Sequence, residues 1–195
     1  MNRKKRRIFY PSISQLEKEV ARLEERRRLR RALGSALCCL LSVAAAAILG
    51  ATLLLPVLHI YGSTMTPTLS EGEIVLSVKG GEPKQGDIIA FYYNNKILVK
   101  RLIAGPGSWV NIDKDGNVYI DDMPLDEPYL TERDFGDCNI ELPYQVPDGR
   151  YFVMGDHRAT SIDSRNTAVG CVAEEQIVGR ILFRIWPLTE FGEIG

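Results

Sequence analysis

Hydrophobic and polar positions divide the 195-residue chain into three stretches of different texture. Near the start, Ile13, Leu16, Val20 and Leu23 recur at three- and four-residue intervals among charged residues, the spacing of one helix face. Pro11 and Ser14, with Glu17 three residues further on, form a helix-start signature of the capping-box kind. A short amphipathic helix is expected there. Two heptads are too few for a coiled coil, and Arg27 and Arg30 end the apolar seam. From Ala32 to Leu58 there is no charged residue, and the run Leu33 to Leu55 is apolar around its whole circumference. As a helix that run extends roughly 35 Å, enough to cross a hydrocarbon core of about 30 Å. A cleaved leader has an apolar region of only about 7 to 15 residues, and a core helix this long normally keeps a polar stripe. A membrane anchor is therefore expected, and Pro56, which lacks an amide proton, is placed to end it.

Beyond the anchor the pattern shortens. Apolar runs at 73–78, 87–93, 97–104, 109–112, 117–120, 151–154 and 178–185 are rich in β-branched and aromatic residues and are cut by Gly, Pro, Asp and Asn. Such runs predict strands. Asn94-Asn95 predicts a tight turn between the second and third, and Asp115-Gly116-Asn117 predicts a turn inside a later hairpin. The fold class is mainly β: one N-terminal transmembrane helix, then an extracytoplasmic β domain. The expected boundaries are a basic amphipathic segment 1–31, the anchor 32–58 and the β domain 59–195.

Charge sharpens this layout. The formal net charge of -1 hides a split, with 12 Lys/Arg against 4 Asp/Glu in residues 1–31 and 12 against 21 thereafter. Arg26, Arg27, Arg28, Arg30 and Arg31 stand just before the apolar run, and the first charge after it is Glu71. The positive-inside rule then puts the N-terminus in the cytoplasm and the β domain outside a single-pass cell-membrane anchor. The basic end suits anionic lipid, so the lipid bilayer rather than nucleic acid is the expected partner. Cys38 and Cys39 lie in the span, and Cys138 and Cys171 in the exported part, where a disulfide is open but not required. No CxxC or HExxH pattern occurs, so neither metal nor cofactor is expected.

Among the lysines, Lys100 is singular. On a strand it shares a face with Leu98 and Leu102, whereas Lys79, Lys84 and Lys96 stand beside turns. A solvated lysine, with pKa near 10.4, is uncharged in only about one molecule in two thousand at neutral pH, and burial raises that fraction. Lys100 is thus either a neutral general base or an amine that snorkels to the strand edge.

Three segments bear on the choice: Gly62-Ser-Thr-Met-Thr-Pro-Thr-Leu69; Gly86-Asp-Ile-Ile-Ala-Phe91 leading to Val99-Lys-Arg-Leu-Ile-Ala-Gly-Pro-Gly107; and Gly155-Asp-His-Arg-Ala-Thr-Ser-Ile-Asp-Ser-Arg165. In order and spacing, and with an anchor ahead of them, they resemble the signature boxes of type I signal peptidases over about residues 30 to 190. The resemblance implies a membrane-bound serine-type endopeptidase that removes signal peptides from secreted preproteins through a hydroxyl–lysine dyad and an acyl-enzyme. It implies cleavage after small residues in the A-x-A style. Thr64 falls where the family carries its nucleophilic serine, and Lys100 falls on the base. Ser161 matches the serine that orients the amine; Asp163 and Arg165 match a pair that holds the loop; Asp156 and Arg158 match further supporting positions. Met65 and Pro67 fall where substrate is bound. His157 replaces an asparagine and is not assigned as a base, since the lysine box is intact. Gly62 stands where some relatives carry a second hydroxyl donor for the oxyanion, leaving the Thr64 amide as the donor. Thr64, with a β-branch that restricts χ1, Ser63 from a shifted loop, and a weak or inactive paralogue that binds signal peptides or assists export remain as alternatives.

Overall fold

The computed structural model describes residues 12–194. Pro11 and the basic residues at 3–7 lie outside the described residues. The described residues divide into two compact units, the first ending at Ala51 and the second beginning at Thr52.

The first unit is made of a helix, α1, which runs as one element from Ile13 to Leu54, its last three residues counted with the second unit. At 1.5 Å per residue its length is about 63 Å. The amphipathic stretch and the apolar run are therefore one continuous helix. The arginines, leucines and alanines that join them are strong helix formers, and Gly34 alone does not interrupt them. Its start differs from the expected Ser14–Glu17 box. The Ser12 amide donates to Gln15 Oε1 at 3.1 Å, the reciprocal half of a capping box two residues earlier. The helix ends at Leu54, two residues before Pro56. Its last carbonyl is not left bare, because the Lys79 amide donates to Leu54 O at 3.1 Å, while the Ser77 amide donates to Pro56 O at 2.9 Å.

The second unit is built of β1 (Val57–His59), β2 (Ile74–Val78), β3 (Ile88–Tyr93), β4 (Lys96–Ala104), β5 (Trp109–Ile112), β6 (Val118–Ile120), β7 (Met123–Pro124), β8 (Tyr144–Gln145), β9 (Arg150–Met154), β10 (Val172–Ala173), β11 (Ile177–Trp186) and β12 (Gly192–Glu193). The larger, antiparallel sheet has the order β1-β2-β11-β3-β4-β9-β10, with β12 beside β11; the smaller is β7-β6-β5-β8. All seven expected strands are present. Asn94 and Asn95, at φ 44° and 62°, make the two-residue turn that closes β3 onto β4 with Tyr93 opposite Lys96. Register follows from that turn, setting Ile89 opposite Lys100 and Ile88 opposite Arg101.

Packing explains why the sheets hold together. Ile103, Val110, Val118, Phe152 and Met154 form one buried cluster that joins β4 and β9 to the smaller sheet. Met65, Leu69, Val75, Ile88 and Ile181 form a second that pins the segment after β1 onto β2, β3 and β11. Ile89, Phe91, Leu102 and Val153 form a third on the other face of β3 and β4. Alternation along β4 thus sends Lys100 and Arg101 to opposite faces, each beside buried apolar side chains. All four cysteines are free thiols, so the optional bridge between Cys138 and Cys171 is not formed.

Candidate active site

Lys100 is the buried lysine among the described residues, with 3% of its surface exposed. Lys79, Lys84 and Lys96 are exposed. Its amine donates to Ser161 Oγ at 2.7 Å, and Ser161 is itself buried. Burial pushes the Lys100 pKa down from 10.5 to about 8; Asp163 opposes this, Arg165 adds to it and Asp156 opposes it.

The turn that carries Ser161 is fastened from several sides. His157 O accepts the Thr160 and Ser161 amides at 3.2 and 3.1 Å, and the His157 ring bonds to the Thr160 hydroxyl. Gly155 is required where this turn meets the segment after β1. A Cβ there would overlap the Ser161 hydroxyl and stand 2.5 Å from Thr64 O. Beneath the turn, Asp163 accepts both Arg165 Nε and Nη2 at 2.9 Å, and its Oδ2 accepts the Gly155 amide at 3.0 Å. Burial alone would raise the Asp163 carboxyl, but the hydrogen bonds and charge of Arg165 outweigh it and hold the group below its ordinary value. Arg165 spends its remaining donors on the carbonyls of Phe135 and Arg158, at 2.9 and 2.8 Å.

On the opposite face of β4, Arg101 makes a two-pronged bond to Asp156, Nε to Oδ1 at 2.9 Å and Nη2 to Oδ2 at 2.7 Å. The same carboxylate accepts the Thr68 hydroxyl at 2.5 Å. Thr68 therefore links the segment bearing Thr64 to the strand bearing Lys100. The Arg101 guanidinium stacks 3.8 Å from the Tyr129 ring centroid, and Arg158 pairs with buried Glu127. These pairings, across 55 and 31 residues, leave no spacing signal in the sequence. The local hint in the sequence is the place of Arg101 next to Lys100, which puts it on the opposite face of the strand.

Thr64 and Lys100 line the same cleft, of about 1060 Å³. Thr64 is half-buried at its wall, whereas Ser63 is exposed and does not line it. Among the described residues neither the amide nor the hydroxyl of Thr64 makes a hydrogen bond, and the Lys100 amine bonds to Ser161 alone. The Thr64 carbonyl accepts the His157 amide at 3.1 Å. Met65 is buried in the cluster below and reaches the cleft; Pro67 is exposed and lies outside its lining. The other walls are largely apolar, with Leu58, Ile60, Leu98, Val99 and Ile162. A second cavity of about 740 Å³, at 79–83 and β11, is lined by neither Thr64 nor Lys100.

The chain is 40% identical over 142 residues to signal peptidase I T of Bacillus subtilis (strain 168), covering 66% of this chain and 72% of that one. It is 38% identical over 152 residues to signal peptidase IB of Staphylococcus aureus, covering 68% and 78%. A solved signal peptidase I of Enterococcus faecalis V583 aligns at 32% identity and a TM-score of 0.44, over 51% of this chain and 97% of that one. The profile of the family described as signal peptidase, peptidase S26, matches residues 33–186, and the chain belongs to that family.

Proposed function

We propose that this protein removes signal peptides from secreted preproteins by acyl transfer, with Thr64 as nucleophile and Lys100 as general base. The observation that carries the reading is the buried Lys100 amine, held by Ser161 and lining one cleft with the Thr64 hydroxyl. With a pKa of about 8, roughly one amine in ten is neutral at pH 7, a few hundred times more than at 10.5. The neutral amine donates one proton to Ser161 Oγ and keeps its lone pair. In a substrate complex the two groups close to hydrogen-bonding distance, as catalytic contacts tighten from the free enzyme.

Chemistry then follows from proton balance. Lys100 takes the Thr64 hydroxyl proton as Oγ1 attacks the scissile carbonyl carbon. The oxyanion is met by the Thr64 amide, which has no other partner among the described residues. The lysine ammonium returns its proton to the departing amine, leaving an ester on Thr64. Water, deprotonated by Lys100, attacks that ester, and Thr64 leaves with the proton. Ser161 positions the amine, while Asp163, Arg165 and Asp156 hold the turns that bear it. Met65 supplies part of the cleft surface against which substrate lies, with Pro67 shaping the approach of its segment.

The apolar half of α1 fits a membrane-anchored protein. We place the anchor as a single pass with the N-terminus in the cytoplasm, from the arginines at 26–31, and the β domain on the outer face. Incubation of the purified full chain with a radiolabelled preprotein tests the activity. The reading expects a shortened product whose new N-terminus follows an A-x-A site. Precursor bound but never cut would instead identify a binding paralogue.

A further inference from the structure

β4 is paired with β3 from Lys96 to Arg101, but on its other side β9 reaches only Arg101 to Ala104. The far edge of Lys96–Lys100 has no backbone partner among the described residues, and those five residues all line the cleft. An extended peptide can add there as a strand. The facing wall is the loop that carries Ser161, Ile162 and Ala168. Two hydrogen bonds reach that loop from the β3–β4 hairpin: from β4, Lys100 Nζ to Ser161 Oγ at 2.7 Å, and from the end of β3, Tyr93 Oη to Ala168 O at 2.6 Å.

The second tie is fixed at both ends. Tyr93 is opposite Lys96 at the hairpin turn, so it stands four residues along the strand from Lys100, about 13 Å at 3.3 Å per residue. Ala168 is held by Asn166, whose Oδ1 accepts the Ala168 amide at 2.9 Å, and by Asn139, whose Oδ1 accepts the Thr167 amide at 2.8 Å. A chain lying along the open edge therefore has about four residues of room before it comes level with the Tyr93–Ala168 bridge, both residues of which line the cleft.

Resting on the function proposed above, in which the residues before the cut are those recognised, we propose that Tyr93 is a specificity-determining residue. Its hydroxyl bridge to Ala168 closes the cleft at the fourth residue before the scissile bond. A small residue passes beneath or beside the bridge; a bulky one forces it open.

A series of preprotein peptides with tryptophan placed singly at each of the six residues before the cut tests this against wild type and Tyr93→Phe, which removes only the hydroxyl. Affinity is read in parallel by fluorescence anisotropy on proteins that also carry Thr64→Ala. The expected result is a loss of at least tenfold in kcat/KM and in affinity for tryptophan at the fourth place in wild type. In Tyr93→Phe that loss shrinks below threefold, while the penalty at the first place is unchanged. An identical penalty profile in the two proteins overturns the assignment. Peptides that bind with the expected profile but are never cut would support the role of Tyr93 while refuting the catalytic reading. Failure of every peptide to bind would refute both.

Discussion

The Lys100 amine and the Ser161 hydroxyl lie 2.7 Å apart with both side chains buried, so the orientation of the one depends on the other. Rotamer freedom of a lysine stem is large, and Ser161 removes it. Ser161→Ala is expected to lower kcat roughly 10- to 100-fold with little change in KM, because it leaves the cleft intact and disturbs only the placement of the base. Steady-state kinetics on a peptide substrate check this; an equal rise in KM would point to a damaged cleft instead.

Gly155 makes the same point through packing. Gly155→Ala places a methyl group against Ser161 Oγ and Thr64 O, so both must shift. A loss of about 1 to 3 kcal/mol in denaturant unfolding is expected, together with the kinetic defect of Ser161→Ala.

Lys100 links activity to pH. Its pKa of about 8 predicts a kcat/KM that rises tenfold per pH unit below 8 and levels off above it. Stability moves the same way. The unfolded lysine keeps the ordinary value of 10.5, so between pH 8 and 10.5 the unfolded chain binds more protons and folding gains as pH rises. Below pH 8 the folded chain carries the full penalty of a buried charge. Lys100→Met is expected to abolish cleavage yet stabilise the β domain at pH 7, by at most about 3 kcal/mol, with the gain vanishing above about pH 10.5. Urea unfolding at pH 7 and pH 10.5 measures it.

Much of this was legible in the sequence, and the rest fails for identifiable reasons. Strands such as β4 and β11 announce themselves by β-branched runs, and the Asn94-Asn95 turn fixes the register that carries Lys100 inward. By contrast β1, β7, β8, β10 and β12 are two or three residues long, and exist because a neighbouring strand offers an edge rather than because of local pattern. Asp121 and Asp122, at φ 49° and 64°, form the same kind of two-residue turn as the asparagine pair; the signal was present but sat between runs too short to read as a hairpin. Separate helices were expected where one continuous helix stands, since propensity alone does not say where an amphipathic segment stops. Pairings across 55 and 31 residues, Arg101 to Asp156 and Arg158 to Glu127, leave no local trace at all.

The Arg101–Asp156 pair carries its own consequence. Both groups are buried and the carboxylate also holds Thr68, so Asp156→Ala strands a guanidinium in the interior and releases the segment that bears Thr64. A loss of about 3 to 5 kcal/mol is expected from unpairing a buried charge, and thermal unfolding of the variant checks it. A loss under 1 kcal/mol would mean that solvent reaches Arg101.

Thr64 is the point at which the mechanism is most exposed. Cleavage of a preprotein by the reconstituted full chain, compared with Thr64→Ala, Thr64→Ser and Ser63→Ala, tests it most directly. Product from wild type and from Ser63→Ala, at least as much from Thr64→Ser, and none from Thr64→Ala is the predicted result. Cleavage that persists in Thr64→Ala and disappears in Ser63→Ala would contradict it.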